Sequence, residues 1–323
     1  VICACCFCEI ARRKKLNLID FVKNVCFASI FYKKTFDKLG KMLYNQFCQK
    51  LNWQKTMPST HFMSSIAEGV NTLPRFFVAK DQICDGLVRI VGEDAHHIAR
   101  SLRMAAGQHV TVCDMQKTEY DCELLHFEDD RVVTARIVGE SPMETEPPVA
   151  ITLYQALPKG DKLDTIIQKA VECGASHIVP FESINCVVRV KQEAEARKTE
   201  RRNRIATEAA KQCGRGMLPE VTETVSFEQM ITLASQADLV LFCYEGEGTV
   251  PLKALLRGRL GTLPQDRVPS IAVVIGSEGG FSPSEAKAAQ EAGFCMTGLG
   301  ARILRTETAS CFILSSLVYE FEL

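Results

Sequence analysis

Two glycine-bearing stretches hold the residues whose types and spacing could do chemistry. The first is Gly276-Ser277-Glu278-Gly279-Gly280, directly after the apolar run Ile271 to Ile275. The second is Leu299-Gly300-Ala301-Arg302-Ile303-Leu304-Arg305-Thr306-Glu307-Thr308-Ala309. Glycine lets a ligand approach the backbone closely, and Ser282-Pro283-Ser284-Glu285 has the form of a capping box with proline at the first helical position. A helix start with free N–H groups therefore follows the first loop. Two or three glycines alone would describe only a tight turn and a cap; a second loop after the next strand makes the pair one candidate site. Arg302 and Arg305 flank Ile303 and Leu304, offering charge for a phosphate or a developing anion beside apolar contact for a flat ring. Glu278 suits a cationic or hydroxyl-bearing ligand better than a triphosphate. No G-x-x-x-x-G-K-[ST] occurs, and no G-x-G-x-x-G opens the α/β region with an acidic residue at the right distance, which disfavours a nucleotide hydrolase.

The elements that must position these loops follow from periodicity. Beyond the Pro- and acid-rich linker 141–148, strands alternate with helices. A strand over Ile151 to Leu157 precedes a helix over Lys162 to Cys173, whose apolar Leu163, Ile166, Ile167, Ala170 and Val171 follow the helical period, and Gly174 closes it. Further strands are expected at His177 to Phe181, Leu239 to Cys243, Ile271 to Ile275 and Phe294 to Leu299, with a long charged helix over Lys191 to Gln212. This is an α/β domain with a mainly parallel sheet, in which ligands bind beyond the carboxyl ends of the strands. From Arg75 to Gly139 the pattern is of short strands, at Leu87 to Val91, His109 to Cys113, Tyr120 to Leu125 and Arg131 to Val138, which indicates a small β-barrel or sandwich. Its one helical stretch, Glu93 to Met104, is expected to set His96, His97, Arg100 and Arg103 along one side, either as a phosphate grip or as a solvated face.

Composition bounds the rest. The 323 residues are 46% hydrophobic and 24% charged, which is globular, and the net charge of -1 gives no general affinity for nucleic acid. Residues 1–72 hold 11 Lys+Arg against 4 Asp+Glu and the remainder 27 against 35, so any RNA contact must come from a local basic surface. The 15 cysteines are irregularly spaced, several inside apolar runs, and read as reduced thiols of a cytoplasmic protein. Cys3, Cys5, Cys6 and Cys8 contain C-x-x-C spacings without a second pair, and no metal site is read from them. Asp20 and Lys23 break the apolar run Leu16 to Tyr32, so no membrane span is expected. Residues 1–72 read as an appendage, 73–145 and 146–323 as the two domains.

Ile275-Gly276-Ser277-Glu278-Gly279-Gly280-Phe281-Ser282 and the stretch Leu299 to Ala309 together resemble the signature of the RsmE family, SPOUT-class RNA methyltransferases acting on N3 of a uridine in small-subunit ribosomal RNA. Supporting stretches are Leu157 to Lys162, Gln168 to Gly174, Glu208 to Arg215 and Leu73 to Val78. The likeness covers 73–323. Ser277 and Ala301 stand where the family often has proline; neither departure removes a charged or glycine position. The resemblance implies a trefoil-knotted α/β domain preceded by a PUA-like β-barrel, a homodimer, and S-adenosylmethionine held by three loops. On this sequence those are Cys243, Tyr244 and Glu245; Ile275, Gly276, Glu278, Gly279 and Gly280; and Leu299, Gly300, Arg302, Ile303 and Leu304. Arg305 is the first candidate to stabilise a uridinate. Glu307 either orients that arginine, takes the N3 proton, or is simply a carboxylate favoured at a helix N-terminus. Arg75, His97, Arg100, Arg103, Lys159, Lys162, Arg189 and Arg215 are the candidate phosphate contacts to ribosomal RNA, free or in the assembled small subunit. A non-catalytic RNA-binding or ribosome-associated protein of the same fold is the rival reading, and the intact Gly276, Gly279, Gly280 and Arg305 favour the enzyme.

Overall fold

The computed structural model describes residues 73–322, apart from 117, 129 and 191. The cysteine spacings at Cys3 to Cys8, the Leu16 to Tyr32 run and the whole appendage lie outside the described residues. Alternating apolar and polar side chains build the first sheet from β1 (Arg75–Phe77), β2 (Ile83–Cys84), β3 (Leu87–Val91), β4 (His109–Cys113), β5 (Thr118–Glu128) and β6 (Val132–Pro142). The strand order is β1-β4-β5-β6-β3-β2. Only the β1–β4 pair is parallel. In β3 the period of two buries Val88 and Ile90 and exposes their neighbours. These side chains meet Phe76, Val110, Val112, Leu124 and Val133 in one core, closed by Ala95 and Ile98. β5 and β6 exceed the expected Tyr120 to Leu125 and Arg131 to Val138 because they pair with each other along their length, across two register shifts.

Ala95 lies in α1 (Glu93–His96), which widens into a π turn over His97–Ser101. The sequence expectation of one helix to Met104 is therefore corrected. Arg103 lies beyond the helical turns with φ of 52°, while Met104 packs against the core and its N–H reaches back to the Ile98 carbonyl. Bringing Met104 inward reverses the chain, and Arg103 does not continue the side that carries His97 and Arg100.

The second sheet is built from β7 (Ala150–Ala156), β8 (His177–Glu182), β9 (Glu220–Val221), β10 (Val225–Ser226), β11 (Leu239–Cys243), β12 (Val250–Pro251), β13 (Ser270–Ile275) and β14 (Cys295–Gly298). Every pair in it is parallel, in the order β10-β8-β7-β13-β11-β14-β12 with β9 beside β8. Five helices connect these strands, α2 (Lys162–Glu172), α3 (Gln192–Cys213), α4 (Phe227–Ala234), α5 (Leu252–Arg259) and α6 (Pro283–Glu291), and α7 (Thr306–Glu322) follows the last strand. All five apolar residues of the α2 stripe are buried. That helix stops where Gly174 takes φ of +84°, a left-handed conformation that a Cβ opposes. Ser282 caps α6 through the expected box, its hydroxyl accepting from Glu285 N–H. In α3, Glu195 and Arg202 are both buried and bonded at 2.7 Å, with Thr224 also donating to Glu195.

No helix among the described residues is long and apolar enough to cross a membrane. The nine described cysteines are all free thiols. Among the described residues no group of His, Cys, Asp and Glu is arranged to hold a metal ion.

Candidate active site

Parallel neighbours end on the same edge, so the loops after β11, β13 and β14 converge. They enclose a cavity of about 730 Å³ whose wall also takes in Lys162 and the first turn of α7. All 13 residues expected around a cofactor border it: Cys243, Tyr244 and Glu245; Ile275, Gly276, Glu278, Gly279 and Gly280; Leu299, Gly300, Arg302, Ile303 and Leu304. Arg305 borders it as well. Their contributions differ. Ile275 is 2% exposed and belongs to the core. Desolvation drives the Cys243 thiol well above its ordinary pKa, so it lines the wall uncharged. Ile303 is 84% exposed, and Arg302 and Arg305 are exposed with no charged partner among the described residues.

The loop after β13 is held by the chain itself. A Cβ on Gly279 would fall 2.9 Å from Asn185 Cβ and 3.2 Å from the Asn185 carbonyl oxygen, so here the absent side chain admits a neighbouring loop. Asn185 Nδ2 then donates to the Gly279 carbonyl at 2.9 Å. At the loop's far end Phe281 packs on Phe242, with ring centroids 4.2 Å apart, and within reach of Phe181 and Phe227. At its near end Thr306 Oγ1 donates to the Gly276 carbonyl at 2.7 Å and accepts from Gln155 Nε2 at 2.9 Å. Ser310 Oγ lies 2.7 Å from Gln155 Oε1. This buried network ties the loop to the start of α7. Gln155, Thr306, Ser310 and Asn185 escaped sequence reasoning. The available signal was Gln155, a carboxamide in a strand otherwise suited to burial, since a buried amide must find partners.

Glu278 and Lys162 form an ion pair at 2.7 Å, and Lys162 Nζ stands 3.6 Å from Glu307 Oε2. Burial would raise the Glu278 carboxyl, but the Lys162 hydrogen bond and the Lys159 N–H outweigh it and hold the group below its ordinary pKa. The Glu278 hydrogen bond in turn raises Lys162. Two polar atoms here, Ser277 Oγ and Glu307 Oε2, are buried without a hydrogen-bond partner among the described residues. Arg305 closes the second loop, its carbonyl accepting from Thr308 N–H and Ala309 N–H as α7 begins.

The eight expected phosphate contacts are dispersed over β1, the π turn after α1 and the residues beyond it, the loop after β7 and the first residue of α2, the loop after β8, and the residues following α3. Arg215 is corrected outright: it is 4% exposed, donates to Glu146 at 2.6 to 3.0 Å and to the carbonyls of Val171 and Ala175 at 3.0 Å, and has no face left for RNA. Arg189 uses its guanidinium on the carbonyls of Ser183 and Ile184, bracing the loop that carries Asn185. Arg75 is turned to Cys113 Sγ and Glu119, each at 2.9 Å, and Lys162 to the two carboxylates above. Arg100 is exposed but paired with Asp130 at 3.2 Å. His97, Arg103 and Lys159 stay exposed, without an ion-pair partner among the described residues.

Residues 145–318 match the family model of an RNA methyltransferase domain, and residues 90–138 match that of an RNA methyltransferase PUA domain. The chain is 34% identical over 254 residues to ribosomal RNA small subunit methyltransferase E of Bacillus subtilis, covering 78% of this chain and 98% of the relative. The chain belongs to the ribosomal RNA small subunit methyltransferase E family. The family member from Synechocystis is 31% identical over 245 residues, covering 75% of this chain and 76% of its own. Among solved structures, the Neisseria gonorrhoeae member of the family, bound to S-adenosyl methionine, superposes with a TM-score of 0.65 at 26% identity, covering 77% of this chain and 98% of that one. A Legionella pneumophila protein in complex with the cofactor SAM reaches a TM-score of 0.67 at 28% identity, with the same coverage. The fold is thus the family's: a PUA-like domain followed by a mixed α/β methyltransferase domain on a parallel sheet.

Proposed function

We propose that this chain methylates N3 of a specific uridine in small-subunit ribosomal RNA, with S-adenosylmethionine as methyl donor. One observation carries the reading. The cavity formed by three strand-end loops is bordered by Arg305, which is exposed and has no charged partner among the described residues, and by Thr306 and Ala309 of the first turn of α7. The wall suits the cofactor: Leu299, Ile303 and Leu304 offer apolar surface to adenine, and the loop backbones offer polar groups to its edge.

When bound, the cofactor supplies an electrophilic sulfonium methyl. The neutral uracil carries a proton on N3, which must leave as the N3–C bond forms and the S–C bond breaks. Glu307 does not line the cavity and lies 3.6 Å from Lys162 Nζ, so it acts by orienting the first turn of α7 beside Arg305, and the N3 proton passes to solvent. Arg305 donates to a uracil oxygen on which negative charge grows. The Gln155–Thr306–Gly276 network fixes the distance between the cofactor loop and these two residues. The PUA-like domain and the exposed His97, Arg103 and Lys159 supply phosphate contacts that position the RNA. A homodimer belongs to the same reading, supported by Phe312 and Tyr319, seven residues apart on α7 and 41% and 68% exposed, as does the knotted passage of the chain.

Calorimetry with S-adenosylmethionine tests the cofactor assignment: saturable binding is expected, and no binding at high micromolar ligand contradicts it. Gly279→Val places a side chain where Asn185 now sits and forces the loop to move. The affinity is expected to fall about tenfold or more, corresponding to about 1.4 kcal/mol, with the melting temperature changed by only a few degrees.

A further inference from the structure

One helix joins the cavity to the first domain. α3 is 22 residues long, about 33 Å from end to end. Its N-terminal end follows the loop that carries Asn185, whose amide holds the Gly279 carbonyl, and Glu182 accepts from Val190 N–H at 2.6 Å just before the helix begins. Midway it is fixed by the buried Glu195–Arg202 pair and by Arg201 on Asp164 of α2. Its C-terminal end meets the first domain through Lys211. The Lys211 Nζ donates to Asp94 Oδ1 of α1 at 2.5 Å and stands 5.6 Å from the ring centroid of Phe76 in β1. The side chains of Lys211 and Asp94 are only 18% and 24% exposed, so solvent screens this pair less than a surface pair. Phe76 is fully buried, and its ring lies 6.3 Å from that of His97, an exposed candidate for phosphate contact. The residues beyond α3 seat the linker: Arg215 holds Glu146, and Met143 lies over Gly216, where any Cβ would collide with the thioether.

We propose that Lys211 is a positioning residue for the RNA substrate: it clamps the PUA-like domain to the end of α3, so that the helix sets the distance between the phosphate contacts around His97 and the cavity. The inference rests on ribosomal RNA being the substrate and not on which uracil atom is methylated. The ammonium group is turned to Asp94 and Phe76, so Lys211 acts through the domain it holds rather than by touching RNA. Arg215 and Glu146 fasten the linker, but a domain fastened only at its linker can still swing about it. A second point of attachment removes that freedom. Without Lys211, only a fraction of the molecules present the domain in the arrangement that serves RNA and cavity together, and the apparent affinity for RNA falls by that fraction. The cofactor loop, held by Asn185, Thr306 and Lys162 within the second domain, keeps its supports.

The test is the rate of methyl transfer from S-adenosylmethionine to small-subunit ribosomal RNA by the full chain and by its Lys211→Met, Lys211→Arg, Asp94→Asn and doubly substituted Lys211→Met, Asp94→Asn variants. Cofactor affinity and melting temperature are measured for each. The expected result for K211M is a KM for RNA about five- to tenfold higher, with kcat and the dissociation constant of the cofactor within about twofold of the unmodified chain. K211R, which can still pair with Asp94 and stack on Phe76, should keep the KM within about twofold. The double variant should be no worse than K211M, because either change breaks the same clamp. An unchanged KM in K211M overturns the inference, as do independent, multiplying effects in the double variant. So does a joint loss of kcat, RNA affinity and cofactor affinity with a melting temperature several degrees lower, since Lys211 would then be merely structural. An unmodified chain that transfers no methyl group to this RNA overturns the substrate reading, and the role of Lys211 with it, before any variant is compared.

Discussion

Replacing Arg305 by alanine is expected to lower methyl-transfer turnover by about 10²- to 10³-fold while S-adenosylmethionine binds within about twofold of its original affinity. The magnitude is that of removing one preorganised donor from a developing anion. The separation of the two effects follows from geometry. Arg305 borders the cavity but its side chain has no charged partner among the described residues, so removing it leaves no group uncompensated. What Arg305 contributes to the fold is its carbonyl, which accepts from Thr308 N–H and Ala309 N–H, and alanine keeps that carbonyl. The start of α7 and the Thr306 link to Gly276 therefore survive the substitution. Steady-state turnover on ribosomal RNA together with calorimetry checks the prediction. Equal losses in both would place Arg305 among the cofactor contacts instead.

The second large effect is on stability. Arg215→Met is expected to destabilise the chain by about 3–5 kcal/mol, because removing one partner of a buried ion pair leaves the other charge uncompensated. For a domain of this size that is about 10 °C in melting temperature. Glu146 would retain only the N–H groups of Gly216 and Met217, and the carbonyls of Val171 and Ala175 would lose their donor. Glu146 belongs to the linker between the two sheets, so this pair fastens the linker to the helical layer. Thermal denaturation measures the loss. An unchanged melting temperature with weakened RNA binding would return Arg215 to the role its sequence neighbourhood suggested.

These two arginines mark the limit of what the sequence could say. Local order was legible where a local rule governs it. The α2 stripe, the Ser282 box and the Gly174 stop depend on residues within one or two turns, and each element formed within a residue or two of its expected bounds. The site was legible too, because loops at the carboxyl ends of parallel strands must share an edge, and the two glycine-bearing stretches lie on it. The role of a charge was less legible. An arginine type does not say whether its partner is a phosphate or a glutamate 69 residues away, as it is for Arg215. The same holds for Lys162, whose partner Glu278 is 116 residues away, and for Gln155 and Thr306, 151 apart. Gly279 was chosen for the right loop and for a different reason, since the neighbour it admits is Asn185. In α1 a local rule misled: helical spacing aligned Arg103 with His97 and Arg100, but core packing at Ile98 and Met104 turned the chain first.

Mapping methylated uridines in small-subunit ribosomal RNA from cells lacking the gene tests the central claim most directly. The account predicts that one uridine loses its N3 methyl group and regains it when that RNA, free or in the assembled subunit, is incubated with the purified chain and S-adenosylmethionine. An unchanged pattern of uridine methylation in the deleted strain would contradict it.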